Sequence, residues 1–253
     1  MKFTFFVILF LIITTFSAFT DSYKYNLSKD LDEIVNVWPL HITKLIINDN
    51  SVNIRSGPGI QFEILNTLAK GTIIEFISQE ESITQIVDKN GRWIKVKTNN
   101  QIGYIFSAYC DFYICEANKK NLSISFYPDL YGSWKPTTIN YDNQILTIEY
   151  KWKSLLSIST KKVNNDIVII DLDEHFESIR SKIHNVYILY KDKLFYLSTF
   201  DPAMTTINGI VNTFILTIEL NNSIPKFQVE QIASNFSEWK LTNNGFEQVF
   251  DYP

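Results

Sequence analysis

Polar turn signals recur along the chain at short intervals and cut it into brief apolar runs. From residue 45 onward they include Asn48-Asp49-Asn50, Gly57-Pro58-Gly59, Lys70-Gly71, Asn90-Gly91, Asn99-Asn100, Asn164-Asn165, Asn221-Asn222 and Asn243-Asn244-Gly245. Asn and Gly adopt the positive φ that tight turns require, and Pro presets φ for a turn. The runs between them are dominated by Ile, Val, Phe and Tyr, and aromatic residues make up 15% of the chain. β-branched and aromatic side chains suit a pleated surface and lose rotamer freedom in a helix. The expected fold class is therefore all-β, built of short antiparallel strands. No repeat of fixed period interrupts this pattern.

A chain of 253 residues accommodates one large domain or two small ones. Its 23 Lys and Arg against 27 Asp and Glu leave a net charge of −4. A mildly acidic chain with scattered lysines is a poor match for a phosphate backbone, so nucleic acid is excluded as a partner.

Residues 1–20 read as a signal peptide. Lys2 supplies the positive start, an apolar stretch follows from Phe3 to Phe16, and Ser17, Ala18 and Thr20 offer small residues near a cut site. The stretch is short for a bilayer span, which needs about 20 apolar residues, so cleavage is expected, with an uncleaved anchor as the alternative. No later segment is long and apolar enough for a helix to span, so a periplasmic or secreted mature protein is expected. Cys110 and Cys115 are the two cysteines. In an oxidising compartment an even pair suggests a disulfide closing a small loop, and the alternative is two reduced, buried thiols.

Residues 21–43 read as an N-terminal linker with a short helix over Ser28 to Val35, in which Ser28 is the N-cap and acids fill the first turn. Residues 44–109 form one cycle of strands and turns. Residues 110–125 read as a connector, with Asn118-Lys119-Lys120-Asn121 as its polar join, and residues 126–253 form a second, longer antiparallel β domain.

The first cycle carries five pieces in order: Val52-Asn53-Ile54-Arg55-Ser56-Gly57-Pro58, Leu68-Ala69-Lys70-Gly71, Trp93-Ile94-Lys95-Val96, Gly103-Tyr104-Ile105 and Ser107-Ala108-Tyr109. Within them Val52 and Ile54 alternate with Asn53 and Arg55, giving one buried and one wet face. Together they resemble the bacterial SH3 domain of cell-envelope proteins, over about a quarter of the chain. The departures are Ile54 for the usual Val and Tyr104 where Trp is common. The resemblance implies a small, strongly bent β-barrel that serves as a targeting or binding module for peptidoglycan or envelope peptides and proteins. Trp93, Tyr104 and Tyr109 would offer flat faces for stacking, and Asn53, Arg55 and Ser56 polar contacts near the first turn. A purely structural alternative stands beside this: Asn53 and Arg55 fix the turn, and Trp93 packs.

The second region offers strand patterns at residues 144–150, 155–160, 166–173, 185–190, 193–199, 213–220, 225–232, 238–242 and 246–250, with tight hairpins at Tyr190-Lys191-Asp192-Lys193 and Asn243-Asn244-Gly245. Its opening, Gly132-Ser133-Trp134, resembles the Gly-x-Trp start of lipocalin-like barrels, which implies a closed sheet whose mouth takes a small apolar ligand. Residues 173–183 also show helical spacing at Phe176, Ile179 and Ile183. Asp171, Asp173, His175 and Glu177 alternate, so on a strand they share a face that could hold a divalent ion; the plainer reading is a solvated turn or the acidic start of that helix. No cofactor is expected.

Catalytic signatures are weak. Cys115 with His175 or His184 lacks the Cys-Ser-Gly helix start of the cysteine peptidases that accompany envelope SH3 domains, and no Gly-x-Ser-x-Gly elbow supports a serine triad. The expectation is a non-catalytic exported binding protein. An accessory or diverged cell-wall hydrolase, or a structural or adhesive envelope protein, is the alternative.

Overall fold

The computed structural model describes residues 21–26, 32–36, 44–99, 101–128, 134–148, 155–176, 179–200, 214–221, 224–231, 236–242 and 245–252. The signal peptide expected at residues 1–20 lies outside them. Among the described residues the chain forms β-strands and one 3-10 turn, with no α-helix, as the turn-rich pattern required. Every recorded strand pair is antiparallel, and the strands fall into three sheets.

The first two strands are β1 (Asp21–Asn26) and β2 (Asp32–Asn36). The SH3-like cycle follows as β3 (Lys44–Ile47), β4 (Val52–Arg55), β5 (Ile64–Leu68), β6 (Ile73–Ile86), β7 (Lys89–Thr98), β8 (Gln101–Phe106) and the 3-10 turn Ser107–Tyr109. A meander comes next: β9 (Cys110–Ala117), β10 (Lys120–Pro128), β11 (Trp134–Tyr141) and β12 (Gln144–Thr147). These ten strands, β3 to β12, form one sheet in the order β12-β11-β10-β9-β3-β6-β7-β8-β4-β5. A second sheet holds β13 (Leu155–Lys162), β14 (Ile167–Phe176), β15 (Ile179–Tyr190) and β16 (Lys193–Phe200), with β2 at its edge against β13. A third holds β17 (Phe214–Asn221), β18 (Ile224–Gln231), β19 (Phe236–Thr242) and β20 (Gly245–Tyr252), with β1 at its edge against β17.

Four sequence readings need correction. The segment expected as a linker and short helix is β1 and β2, and the N-cap pattern at Ser28 lies outside the described residues. Tertiary pairing overrides the local signal: Val35 faces Ile158 and Asp32 faces Thr160, and the β-branched pair Ile34-Val35 suits that strand. Residues 110–125 are not a connector. β9 pairs with β3 (Leu45↔Phe112, Ile47↔Cys110), so the sheet runs on without a break, and Asn118-Lys119 is a two-residue hairpin turn with both φ positive. Residues 126–253 do not make one closed, lipocalin-like sheet, because their strands are divided among the three sheets. The helical spacing at residues 173–183 is carried by β14 and β15, which pair from Ile167↔Tyr190 to Phe176↔Ile179.

The hairpin expected at Tyr190-Lys191-Asp192-Lys193 is present, with positive φ at Lys191 and Asp192 and pairing of Tyr190 with Lys193. The turn expected at Asn90-Gly91 sits three residues earlier, at Val87-Asp88, and Asn90-Gly91 lies inside β7. Gly91 is needed there for a close approach: a Cβ would stand 2.7 Å from Phe106 Cζ and 2.8 Å from Ser107 Oγ.

The core explains the layering. Ile54, Ile94, Val96, Ile105 and Phe112 share one apolar cluster with Val168, Ile170, Leu172 and Leu189 of the β14–β15 hairpin. The alternate residues of that hairpin, Ile167, Ile169, Val186 and Ile188, pack with Leu216, Ile218 and Phe227 of the third sheet. The β13–β16 sheet is therefore a middle layer covered on both faces, which is why Ile167-Val168-Ile169-Ile170 is a continuous apolar run. The meander contributes aromatic side chains to the first of these clusters. Trp134 is buried edge-on against Phe126 at 4.8 Å, and Phe126 stacks on Phe112 at 3.9 Å. The β15–β16 turn is tied to the meander by Asp192, which accepts from Tyr141 Oη at 2.5 Å and Asn118 Nδ2 at 3.2 Å.

Candidate functional site

A groove of about 330 Å³ opens on the face of the SH3-like strands away from the core. Its floor comes from strand alternation. Ile94 and Val96 of β7 point into the core, so Trp93 points the other way, where Phe106 and Tyr109 cover it. The Trp93 and Phe106 rings are 5.7 Å apart and tilted, as are Phe106 and Tyr109 at 6.0 Å. One wall is the wet face of β4, Asn53 and Arg55, and the other carries Ile86 at the tip of the β6–β7 hairpin. Next to Ile86, Val87 holds φ 57° with its side chain almost fully exposed, a left-handed conformation unusual for a β-branched residue.

Four of the six residues predicted from sequence meet in this groove: Asn53, Arg55, Trp93 and Tyr109. The other two do not line it. Ser56 is exposed on the loop after β4, where its N–H donates to Glu63 O. Tyr104 lies opposite Arg55 and Lys95 in the ladder, and its ring is 5.9 Å from Lys95 Nζ. Asp49, Asn50 and Phe106 belong to the groove and were not singled out; the position of Phe106 directly before the Ser107-x-Tyr109 turn was the available signal.

Arg55 holds the loop that forms one rim. Its Nη1 donates to Ile60 O at 2.9 Å and to Phe62 O at 2.8 Å. Asn53 Oδ1 accepts from Thr67 Oγ1 at 3.1 Å. At the opposite end Lys89 Nζ lies 3.5 Å from Asp49 Oδ2 and 4.4 Å from the Tyr109 ring centroid. The groove thus combines aromatic faces, amide side chains and charges of both signs.

A second, polar cleft of about 600 Å³ lies across β3, β9, β10 and β11. At its base Asp111 is buried and accepts from Asn48 Nδ2 at 2.8 Å and from Ser123 Oγ and Asn140 Nδ2 at 3.4 Å each. Burial pushes the Asp111 carboxyl above its ordinary range, and the hydrogen bonds pull part of the way back. Asp111 directly follows Cys110 and carried no motif, so only the three-dimensional arrangement reveals it.

The two cysteines are free. They lie on the same extended strand, where five residues at ~3.3 Å each separate them by about 16 Å, far beyond the ~7 Å limit for a bridge. Burial raises both thiols, Cys110 strongly, the opposite of what an activated nucleophile requires.

Of the predicted quartet Asp171, Asp173, His175 and Glu177, the first two share a buried face of β14; Glu177 and the His175 side chain lie outside what is described. The imidazole beside them is His184, which pairs with Asp173 across β14–β15. Its Nδ1 lies 2.7 Å from Asp171 Oδ2 and 2.8 Å from Asp173 Oδ1. Burial is the largest single influence on His184 and would lower its pKa, but the Asp171 and Asp173 carboxylates together outweigh it and raise the pKa well above its ordinary range. Burial pushes Asp171 up in turn.

The class defined by β3 to β8 and the 3-10 turn is a small, bent antiparallel β module with an aromatic-floored groove. Residues 50–111 match the family model of the bacterial SH3 domain, and this quarter of the chain is such a domain. Bacterial SH3 domains commonly bind cell-wall components and occur in cell-envelope proteins. Comparison of the chain with curated proteins and with solved structures gave no match. Among the described residues no helix is long and apolar enough to cross a membrane.

Proposed function

We propose that this is an exported, non-catalytic protein of the periplasm or cell surface whose SH3 domain recognises peptidoglycan through the groove over Trp93. The observation that carries the proposal is the convergence of Asn53, Arg55, Trp93 and Tyr109 on one concave surface. Rigid aromatic faces take up sugar or peptide planes at little entropic cost, and amide side chains orient them. The Arg55 guanidinium and the Asp49 carboxylate fit a ligand bearing both a carboxylate and an amine, which favours the peptide stem over the glycan strand. Non-catalytic binding is supported by the lining, which offers one carboxylate and neither His nor Cys.

The test is co-sedimentation of the purified chain with peptidoglycan sacculi. Tyr109 is half-buried at the groove rim, and losing a stacking ring there costs about 1–2 kcal/mol, so Tyr109→Ala should weaken retention roughly 5- to 30-fold with an unchanged circular dichroism spectrum. Release of soluble muropeptides by the wild-type chain would establish a hydrolase instead. No retention would refute the reading in favour of a structural or adhesive role.

A further inference from the structure

We infer that Asp171, Asp173 and His184 form a site for one first-row divalent transition ion, buried between the middle and third sheets. One ligand atom from each of the three side chains lies within 4.8 Å of the others, and all three residues are at most 2% exposed. The site is built by strand geometry: Asp171 and Asp173 are two residues apart on β14, on one face, and His184 stands directly opposite Asp173 on β15. That face also carries Ile169, Val186 and Ile188, which pack on Leu216 and Ile218 of the third sheet, so the polar cluster is set in an apolar wall.

One further observation points to a cation. Asp171 Oδ1 is buried and has no hydrogen-bond partner among the described residues, which is costly for a carboxylate oxygen. An ion bound there takes the lone pair of a neutral His184 Nδ1, and any proton on that nitrogen leaves to solvent.

The donor set selects the ion. One imidazole nitrogen with two carboxylate oxygens suits Zn²⁺ or a neighbouring transition ion, whereas Ca²⁺ and Mg²⁺ take oxygen ligands. Tetrahedral bonds of ~2.0–2.1 Å place ligand atoms about 3.3 Å apart, so the present 2.7 and 2.8 Å separations widen by about 0.6 Å on binding. Ser157 Oγ donates to Asp173 Oδ2 at 2.9 Å and fixes the carboxylate, as supporting hydrogen bonds do in metal centres. The role is structural: the ion fastens β14 and β15 at the layer interface.

The experiment uses the full chain after dialysis against a chelator. CoCl₂ should produce the visible absorption of tetrahedral Co²⁺, saturating at one equivalent. ZnCl₂ at about 100 times its Kd should raise Tm by roughly 5–10 °C, and MgCl₂ should leave it unchanged. Asp171→Asn should abolish both the spectrum and the Zn²⁺ shift. If that variant does not fold, anomalous diffraction from Zn²⁺-soaked wild-type crystals replaces it, with a peak expected between the three side chains. Absence of a one-equivalent Co²⁺ spectrum in the wild type, its persistence in Asp171→Asn, or an anomalous peak only elsewhere would overturn the inference.

Discussion

Replacing Gly103 by alanine probes the packing that shapes the groove. At this position β8 crosses close to β4. An alanine Cβ would lie 2.5 Å from Ile54 Cγ1 and 2.8 Å from the backbone oxygen of Arg55, where ordinary contact begins at 3.4 Å. Ile54 is fully buried and has no free space to swing into, and a backbone oxygen moves only with its strand. The separation must therefore open by about 0.6 Å along the β4–β8 contact. Overpacking of a dense core costs about 1–3 kcal/mol, and with backbone among the clashing atoms the upper part of that range applies. For a urea slope of about 3 kcal/mol/M the midpoint falls by roughly 0.7–1 M. Gly71→Ala is the matched control. Gly71 has φ +84° but nothing within 4 Å of its Cβ position, so only the left-handed conformation is penalised, about 1 kcal/mol or ~0.3 M. Equilibrium urea unfolding followed by tryptophan fluorescence reads both variants. A Gly103→Ala midpoint within 0.2 M of wild type, or a smaller loss than Gly71→Ala shows, would refute the close-packing argument.

Arg55→Met should free the 56–63 loop, since Nη1 donates to both Ile60 O and Phe62 O and a thioether has no N–H to replace it; faster amide exchange across the loop checks this, and unchanged exchange contradicts it. The raised pKa of Asp111 makes its stability contribution fully present below the unfolded value of ~3.9 and lost as pH rises through the folded value. The Tm of wild type relative to Asp111→Asn should accordingly fall as pH is raised from about 3.5 to 6, a window set by the upward direction of the shift; a difference that stays flat or rises removes the burial argument.

The sequence made local structure legible wherever short-range chemistry decides it. The five SH3 pieces place β4, β7 and β8, and the Lys191-Asp192 pair forms the turn its position between two apolar runs required. The groove was legible in part, because alternation on β4 exposes Asn53 and Arg55 and buries Val52 and Ile54. What escaped depends on distant partners. Ser28 to Val35 has good helix-start chemistry, but Val35 pairs with Ile158, more than a hundred residues away, and nothing local announces that. His184 belongs with Asp171 and Asp173 because β14 turns back on itself; the alternating pattern pointed instead to the in-strand neighbour His175. Val87 at the hairpin tip was hidden by the stronger turn residues Asn90-Gly91, which close packing against Phe106 accounts for.

The pairing of Asp21 with Leu220 spans 199 residues, which has a consequence for how the chain is assembled. The earliest described segment to leave the ribosome cannot reach its place until β17 has been made, so the SH3 cycle and meander, whose ladders are mostly local, can form first while β1 and β2 wait unpaired. Until they arrive, β13 and β17 keep an open flank each, and such flanks invite association between half-finished copies. The two short N-terminal strands are thus placed after the SH3 cycle and meander and are the guard rails of the finished molecule, so a fragment that starts at residue 44 loses both of them.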